Sequence, residues 1–163
     1  MKNEKPTILF ISENFIPETN AAAARVFERG IYWKDWGYEV KYVTSFPNRH
    51  KGKAHIGYSD RLFNNEIIDG LDILRVKTYI PKKNGTFYRA LHQLSFMVSS
   101  LIAGILTQKT NVIIVTTPQF FCSISGLVIS KIKRVPFILE VADIWTNSIK
   151  ATQETYGFFY SLM

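Results

Sequence analysis

The residues in this 163-residue chain best suited to chemistry gather in short polar stretches, each placed directly after an apolar run. Ser12 to Asn20 follows Thr7–Ile11 and contains Asn14, Thr19 and Asn20. Four alanines, Ala21 to Ala24, come next and start a helical pattern that includes Arg25. A helix opening on alanine has almost no side chain over its first turn, so its N–H groups, at the positive end of the helix dipole, are open to an anion. The same four alanines also serve simply to let the helix pack closely on a sheet. Ser45 to Lys53 holds Phe46, Pro47, Asn48 and Arg49 in a basic loop, and Thr116 to Gln119 holds Thr117 and Pro118. Ala142 to Trp145 contains Asp143, a carboxylate able to orient a hydroxyl or act as a base. Asp is equally suited to cap the helix that Ile144 begins.

These stretches share one position because of the elements between them. Thr7–Ile11 is β-rich and apolar, as befits a strand covered on both faces. Thr19 or Asn20 is the candidate N-cap of the helix that follows, with Ala23, Val26, Phe27, Gly30 and Ile31 at the spacing of a core face. Gly37 closes that helix and Glu39–Thr44 is a second strand, which together make a right-handed βαβ unit. Glu66–Val76 reads as a hairpin turning at Asp69-Gly70. Residues 87–108 read as one long helix, Asn111–Thr116 as a buried strand, and Gln119–Ile132 as another helix. Phe137–Val141 reads as a further strand, and a last helical piece begins at Ile144. Alternation of this kind predicts an α/β, Rossmann-like, doubly wound and mainly parallel sheet with helices on both faces. Ligands of such sheets bind beyond the carboxyl ends of the strands, where the polar stretches fall.

Several chemistries are excluded. The run after the first strand, ENFIPETNAAAA, contains no dinucleotide fingerprint, and no P-loop, zinc spacing or G-x-S-x-G elbow occurs elsewhere. We therefore expect no metal. Cys122 is the lone cysteine, which excludes a disulfide framework, fits a reducing compartment and reads as core. The first apolar run is too short for a signal peptide. Net charge is +7 and hydrophobic residues make up 47%, a balance suited to nucleic acid, anionic lipid or phosphorylated substrates. No RNA-binding aromatic signature or Cys/His finger accompanies the basic residues, which argues against nucleic acid. Leu94–Leu106 is free of charge and too short to span a bilayer, so it reads as a core helix or an interfacial one. In the second case Lys82, Lys83, Arg89 and His92 would suit anionic headgroups.

The order of motifs resembles the N-terminal domain of retaining family 4 glycosyltransferases of the GT-B fold. The nearest group is the colanic-acid fucosyltransferase-like and N-acetylfucosaminyltransferase-like enzymes of exopolysaccharide, capsule and O-antigen assembly. Its residues are Pro17-Glu18-Thr19-Asn20-Ala21 with Ala24-Arg25, Trp36-Gly37-Tyr38-Glu39-Val40, and Thr44-Ser45-Phe46-Pro47-Asn48 with Gly52 and Tyr58. Gly70 with Arg75-Val76, Thr117-Pro118, and Pro136-Phe137 with Asp143-Ile144-Trp145 complete the series. The resemblance implies an acceptor-binding domain. Asn20 to Ala23 and Arg25 would face the donor's phosphates, and Asp143 would line the cleft near the reacting sugar with Trp145 beside it. Arg49 to Lys53 would meet a lipid-linked pyrophosphate acceptor. It also implies no cofactor, a nucleotide sugar as substrate, and a cytoplasmic protein peripheral at the inner membrane face.

Departures from the family's pattern are visible. Asn20-Ala21 replaces its glycine pair, Ala142 stands where a basic residue is common, Thr146 replaces a proline, and the family's histidine near this strand end is missing. The C-terminal donor-binding domain is expected to be absent from the chain, whose last residues, Tyr156–Met163, are apolar and uncapped. A chain of this kind alone would not turn over a nucleotide sugar. The alternative is a stand-alone Rossmann-like module that binds an anion or nucleotide without catalysis.

Overall fold

The computed structural model describes residues 5–47, 61–81, 85–117 and 120–142. The expected α/β architecture is present. Six strands, β1 (Thr7–Ile11), β2 (Glu39–Ser45), β3 (Phe63–Ile68), β4 (Leu71–Val76), β5 (Val112–Thr116) and β6 (Phe137–Glu140), alternate with helices α1 (Ala21–Asp35), α2 (Thr86–Leu106) and α3 (Phe120–Lys133). The sheet runs β3-β4-β2-β1-β5-β6, with β3 antiparallel to β4 and every other pair parallel. The hairpin turns at Asp69-Gly70, and both residues have positive φ, 49° and 79°, as a two-residue type I′ turn requires. Its first strand begins at Phe63, three residues before the apolar pattern at Glu66 gives it away, because Leu62-Phe63 is exposed at the sheet edge.

β1 is buried throughout and lies between β2 and β5, so its alternating side chains feed two separate cores. Leu9 and Ile11 join Val43, Val76, Ile113 and Val115 beneath Phe96 and Ala103 of α2 and Cys122 and Ile129 of α3. Phe10 joins Tyr42, Val40 and Ile73 beneath Val26 of α1, with Phe27 and Ile31 at the margin. Among the described residues α1 covers one face, and α2 and α3 together cover the other. The expected core face of α1 holds, with Ala23, Val26 and Gly30 buried.

Among the described residues three helical glycines, Gly30, Gly104 and Gly126, mark close approaches, and the first two make a direct comparison. A Cβ on Gly30 would stand 2.3 Å from the Tyr42 hydroxyl, which donates a 2.8 Å bond to the Val26 carbonyl. A Cβ on Gly104 of α2 would stand 2.4 Å from Cδ1 of Ile129, the mobile end of an aliphatic chain, so the clash there is cheaper to relieve. Tyr42 is fully buried and its ring packs against Phe10 and Phe15, so it has nowhere to retreat. Gly30→Ala should therefore lose about 1–3 kcal/mol through overpacking despite alanine's better helix propensity. Gly104→Ala should lose less. Urea denaturation of the two variants checks the ranking.

Candidate functional site

The strand order reverses at β1, with the chain passing first to β2 and later to β5 on the opposite side. Beyond the carboxyl ends of these strands lies the crevice where open α/β sheets take ligands. Its floor is the loop from Ser12 to Asn20, and that loop is held from three directions.

The first hold comes from β2. Thr44 Oγ1 and Ser45 Oγ both donate to the Glu13 carbonyl, at 3.1 and 2.9 Å, while Ser12 N donates to the Val43 carbonyl. The second comes from β4. Arg75 is fully buried; its Nε pairs with Glu66, Nη2 donates to the Ile16 carbonyl at 2.5 Å, and Nη1 donates to the Ser45 carbonyl. The guanidinium also lies 5.8 Å from the centre of the Phe15 ring. A rigid fork of donors can serve two loops and a carboxylate at once, which a lysine could not do.

The third hold comes from α2. His92 Nδ1 faces the Tyr79 carbonyl, so it must carry a proton. Its Nε2 lies 2.6 Å from Glu13 Oε1, and a carboxylate there accepts a second proton's bond, which favours the imidazolium. Burial is the largest single influence and opposes that charge. The hydrogen bond and charge of Glu13, the Tyr79 carbonyl and the Glu18 charge outweigh it, and the pKa is raised above the ordinary 6.5. Glu13 Oε2 is sealed from solvent and meets no donor among the described residues.

Asn20 is the N-cap of α1, and its Oδ1 accepts from Ala23 N at 2.9 Å. Its Nδ2 donates to Glu18 at 3.1 Å, which places a buried carboxylate beside the helix start. The positive helix end expected from the alanines is thus already partly compensated from within. Arg25 is exposed on the first turns of α1 and makes no ion pair with Glu18 or Glu28 among the described residues.

The remaining expected residues separate into three groups. Thr19 and Ala21 are exposed at the rim, and Asn14, Phe46 and Pro47 lie at the rim but buried, Phe46 N donating to the Val76 carbonyl. Thr117 stands after β5, where its Oγ1 accepts from Ala142 N at 2.9 Å and ties the ends of β5 and β6 together. Asn48, Arg49, Pro118, Asp143 and Trp145 lie outside the described residues, as do Lys82 and Lys83. Because β6 is parallel to β1, the chain reaches Ala142 on the same rim as Asn20.

In the interfacial reading of Leu94–Leu106, His92 would face headgroups beside Arg89. Instead it turns inward, its side chain only 16% exposed, because residue 92 falls on the buried face of α2. Glu13, Glu18, Arg75 and His92 are the residues that sequence reasoning missed as a set. Only Glu18 and Arg75 fell within quoted motifs, and no spacing links positions 13, 75 and 92. Cys122 is core as expected, and burial pushes its thiol up to about 12. Among the described residues no group of His, Cys, Asp and Glu could hold a metal. A groove of about 900 Å³ lies away from this rim, toward the opposite ends of β2 and β4, lined in part by Phe63, Ile67, Leu74 and Leu106.

Two measurements check the holds. Arg75→Ala removes the buried cation that pairs with Glu66 and ties two loops, and should destabilise the chain by about 3–5 kcal/mol in chemical denaturation. His92 has a raised folded pKa, so its stabilisation is complete below the unfolded value near 6.5 and fades as pH rises through the folded one. Melting temperature should therefore fall by roughly 2–4 °C more between pH 6 and pH 9 in the parent than in His92→Gln. Parallel pH profiles for the two proteins would show that the imidazole is not the source.

No protein-family model matches the chain. Over 138 residues it is 26% identical to an Escherichia coli (strain K12) protein described as "Putative colanic acid biosynthesis glycosyl transferase WcaI". That alignment covers 83% of this chain and 34% of the relative, so the chain spans about a third of the relative's length. With its open, mainly parallel sheet and its polar rim at the β1/β5 crevice, the chain is a distant relative of a glycosyltransferase.

Proposed function

We propose that the chain is the acceptor-binding half of a retaining glycosyltransferase of the GT-B kind, acting in cell-surface polysaccharide synthesis such as capsule or O-antigen assembly. The observation that carries this reading is the relationship to a glycosyl transferase along 83% of the chain. The fold supports it with a rim where the polar stretches converge on β1 and β5. In this reading a sugar passes from a nucleotide sugar to a lipid-linked glycan, and no further cofactor takes part. The acceptor lies along the rim between the Ser12–Asn20 loop and Thr117, with Arg49 and its neighbours meeting the pyrophosphate. Asp143 and Trp145 line the cleft next to the reacting sugar. Arg25 and the start of α1 face the donor's phosphates across it.

The donor is held by a second α/β half outside these 163 residues. Departure of the nucleotide diphosphate sets the barrier in such a reaction, and the groups that stabilise it belong mostly to that half. The place of action is the cytoplasmic side of the membrane, where the lipid-linked acceptor is.

The test uses the 163-residue chain with a panel of UDP- and GDP-sugars and a polyprenyl-pyrophosphate-linked glycan. Tryptophan fluorescence should report binding of the glycan, and mass spectrometry should detect no transfer. Transfer by the chain alone would remove the need for a second half. Nucleotide-sugar binding without glycan binding would assign the chain to an anion- or nucleotide-binding module instead.

A further inference from the structure

Helix α2 presents two apolar faces, and the fold uses one of them. Phe96, Ser100 and Ala103 are buried against the sheet and α3. On the opposite side Phe87, Leu91, Leu94, Val98 and Ile105 form a stripe at spacings of three, four and seven, and all are more than a third exposed. Val98, at the middle, is 50% exposed. The stripe points straight out of the domain, because its centre lies half a turn from the core face.

α3 continues it. The two helices pack through Ser100 Oγ donating to Ser125 Oγ at 3.0 Å and through Gly104 against Ile129. α3 then turns Ile124, Leu127 and Val128 outward, with Lys131 next on the same face. The outer surface of this helix layer is thus apolar across both helices, far beyond the scattered exposed leucines normal for a soluble surface.

Charge says what covers it. From Lys77 to Leu139 the chain contains eight of its twenty basic residues and none of its thirteen acidic ones. The segment that includes α2 and α3 therefore carries a formal charge of +8 and the rest of the chain −1. Lys131 and Arg134 lie exposed at the end of α3, so exposed cations border the apolar surface there, whereas Arg89, seven residues before the buried Phe96, projects from the other side of α2.

Two other occupants fit less well. A second copy docked face to face would bring two acid-free cationic surfaces together with no counter-charge. A further helix of this domain would make a fourth layer, whereas α/β domains close at three. An anionic lipid surface matches both features, since acyl chains take the stripe and headgroups take the cations. Although Phe87–Leu106 is long and apolar enough to cross a bilayer, its buried face belongs to the sheet, so it lies flat instead.

We propose that the outer face of α2 and α3 is a docking surface for an anionic membrane. It rests on the surface itself and not on the transfer reading. The test is flotation of the 163-residue chain with vesicles of phosphatidylcholine containing 30% phosphatidylglycerol or of phosphatidylcholine alone, a composition of roughly one anionic lipid in three. The chain should float with the first, weakly with the second, and less as salt rises. Val98→Asp sits on the exposed stripe and should leave the melting temperature unchanged while reducing flotation by roughly tenfold or more. Absence of flotation on anionic vesicles would overturn the proposal, as would equal flotation of Val98→Asp. So would sedimentation of the parent as a dimer that Val98→Asp dissociates, since a second copy would then own the face. Glycan binding at the rim is read separately, so loss of either result leaves the other standing.

Discussion

A guanidinium with no solvent exposure holds the working edge of this sheet together. Arg75 sits near the end of β4, two strands away from β1, yet its donors reach Glu66 on β3, the Ser45 carbonyl at the end of β2 and the Ile16 carbonyl in the loop after β1. A buried cation is costly unless every donor finds an acceptor, so its presence fixes the relative positions of everything it touches. The β1–α1 loop cannot shift without giving up the Ile16 carbonyl's bond to that charge. The polar rim is preorganised for this reason, with Asn14, Glu18 and Phe46 buried along it.

The fold was largely legible because local signals agreed. The Asp69-Gly70 turn, the N-cap at Asn20 and the C′ glycine at Gly37 each needed only their immediate neighbours to be read, and strands covered on both faces announce themselves as unbroken apolar runs. The rim was legible only as a place, since strand ends can be located without knowing what they hold. Its wiring was not. Arg75 and Ile16 are 59 positions apart and His92 and Glu13 are 79 apart, and no periodicity connects them. His92 shows the limit of local reading: it lies one turn on from the exposed Arg89 and on the same side of α2, yet Tyr79 and Glu13, the latter far away in sequence, close over it.

The same arithmetic explains why α2 was ambiguous. Apolar residues all round a helix fit burial in a core or immersion in lipid equally, and sequence alone does not say which side meets the sheet. The register of α2 against Leu9, Val43 and α3 assigns one face to the core and leaves the other over. Charge then divides the molecule the same way: acidic residues are confined to the parts outside 77–139. A domain with one cationic flank carries a permanent dipole, so an external field biases its orientation.

The contact between His92 and Glu13 joins these two halves mechanically. α2 is pinned at its far end, where Lys133 Nζ of α3 donates to the Ile105 and Thr107 carbonyls at 3.2 and 2.5 Å. From there to His92 the rod is roughly 21 Å long. A tilt of about 3° about that pivot moves the imidazole by about 1 Å, enough to stretch its bond to Glu13 beyond hydrogen-bonding range. Any force that leans on the outer face of α2 is therefore felt at the crevice as the making or breaking of a single charged hydrogen bond.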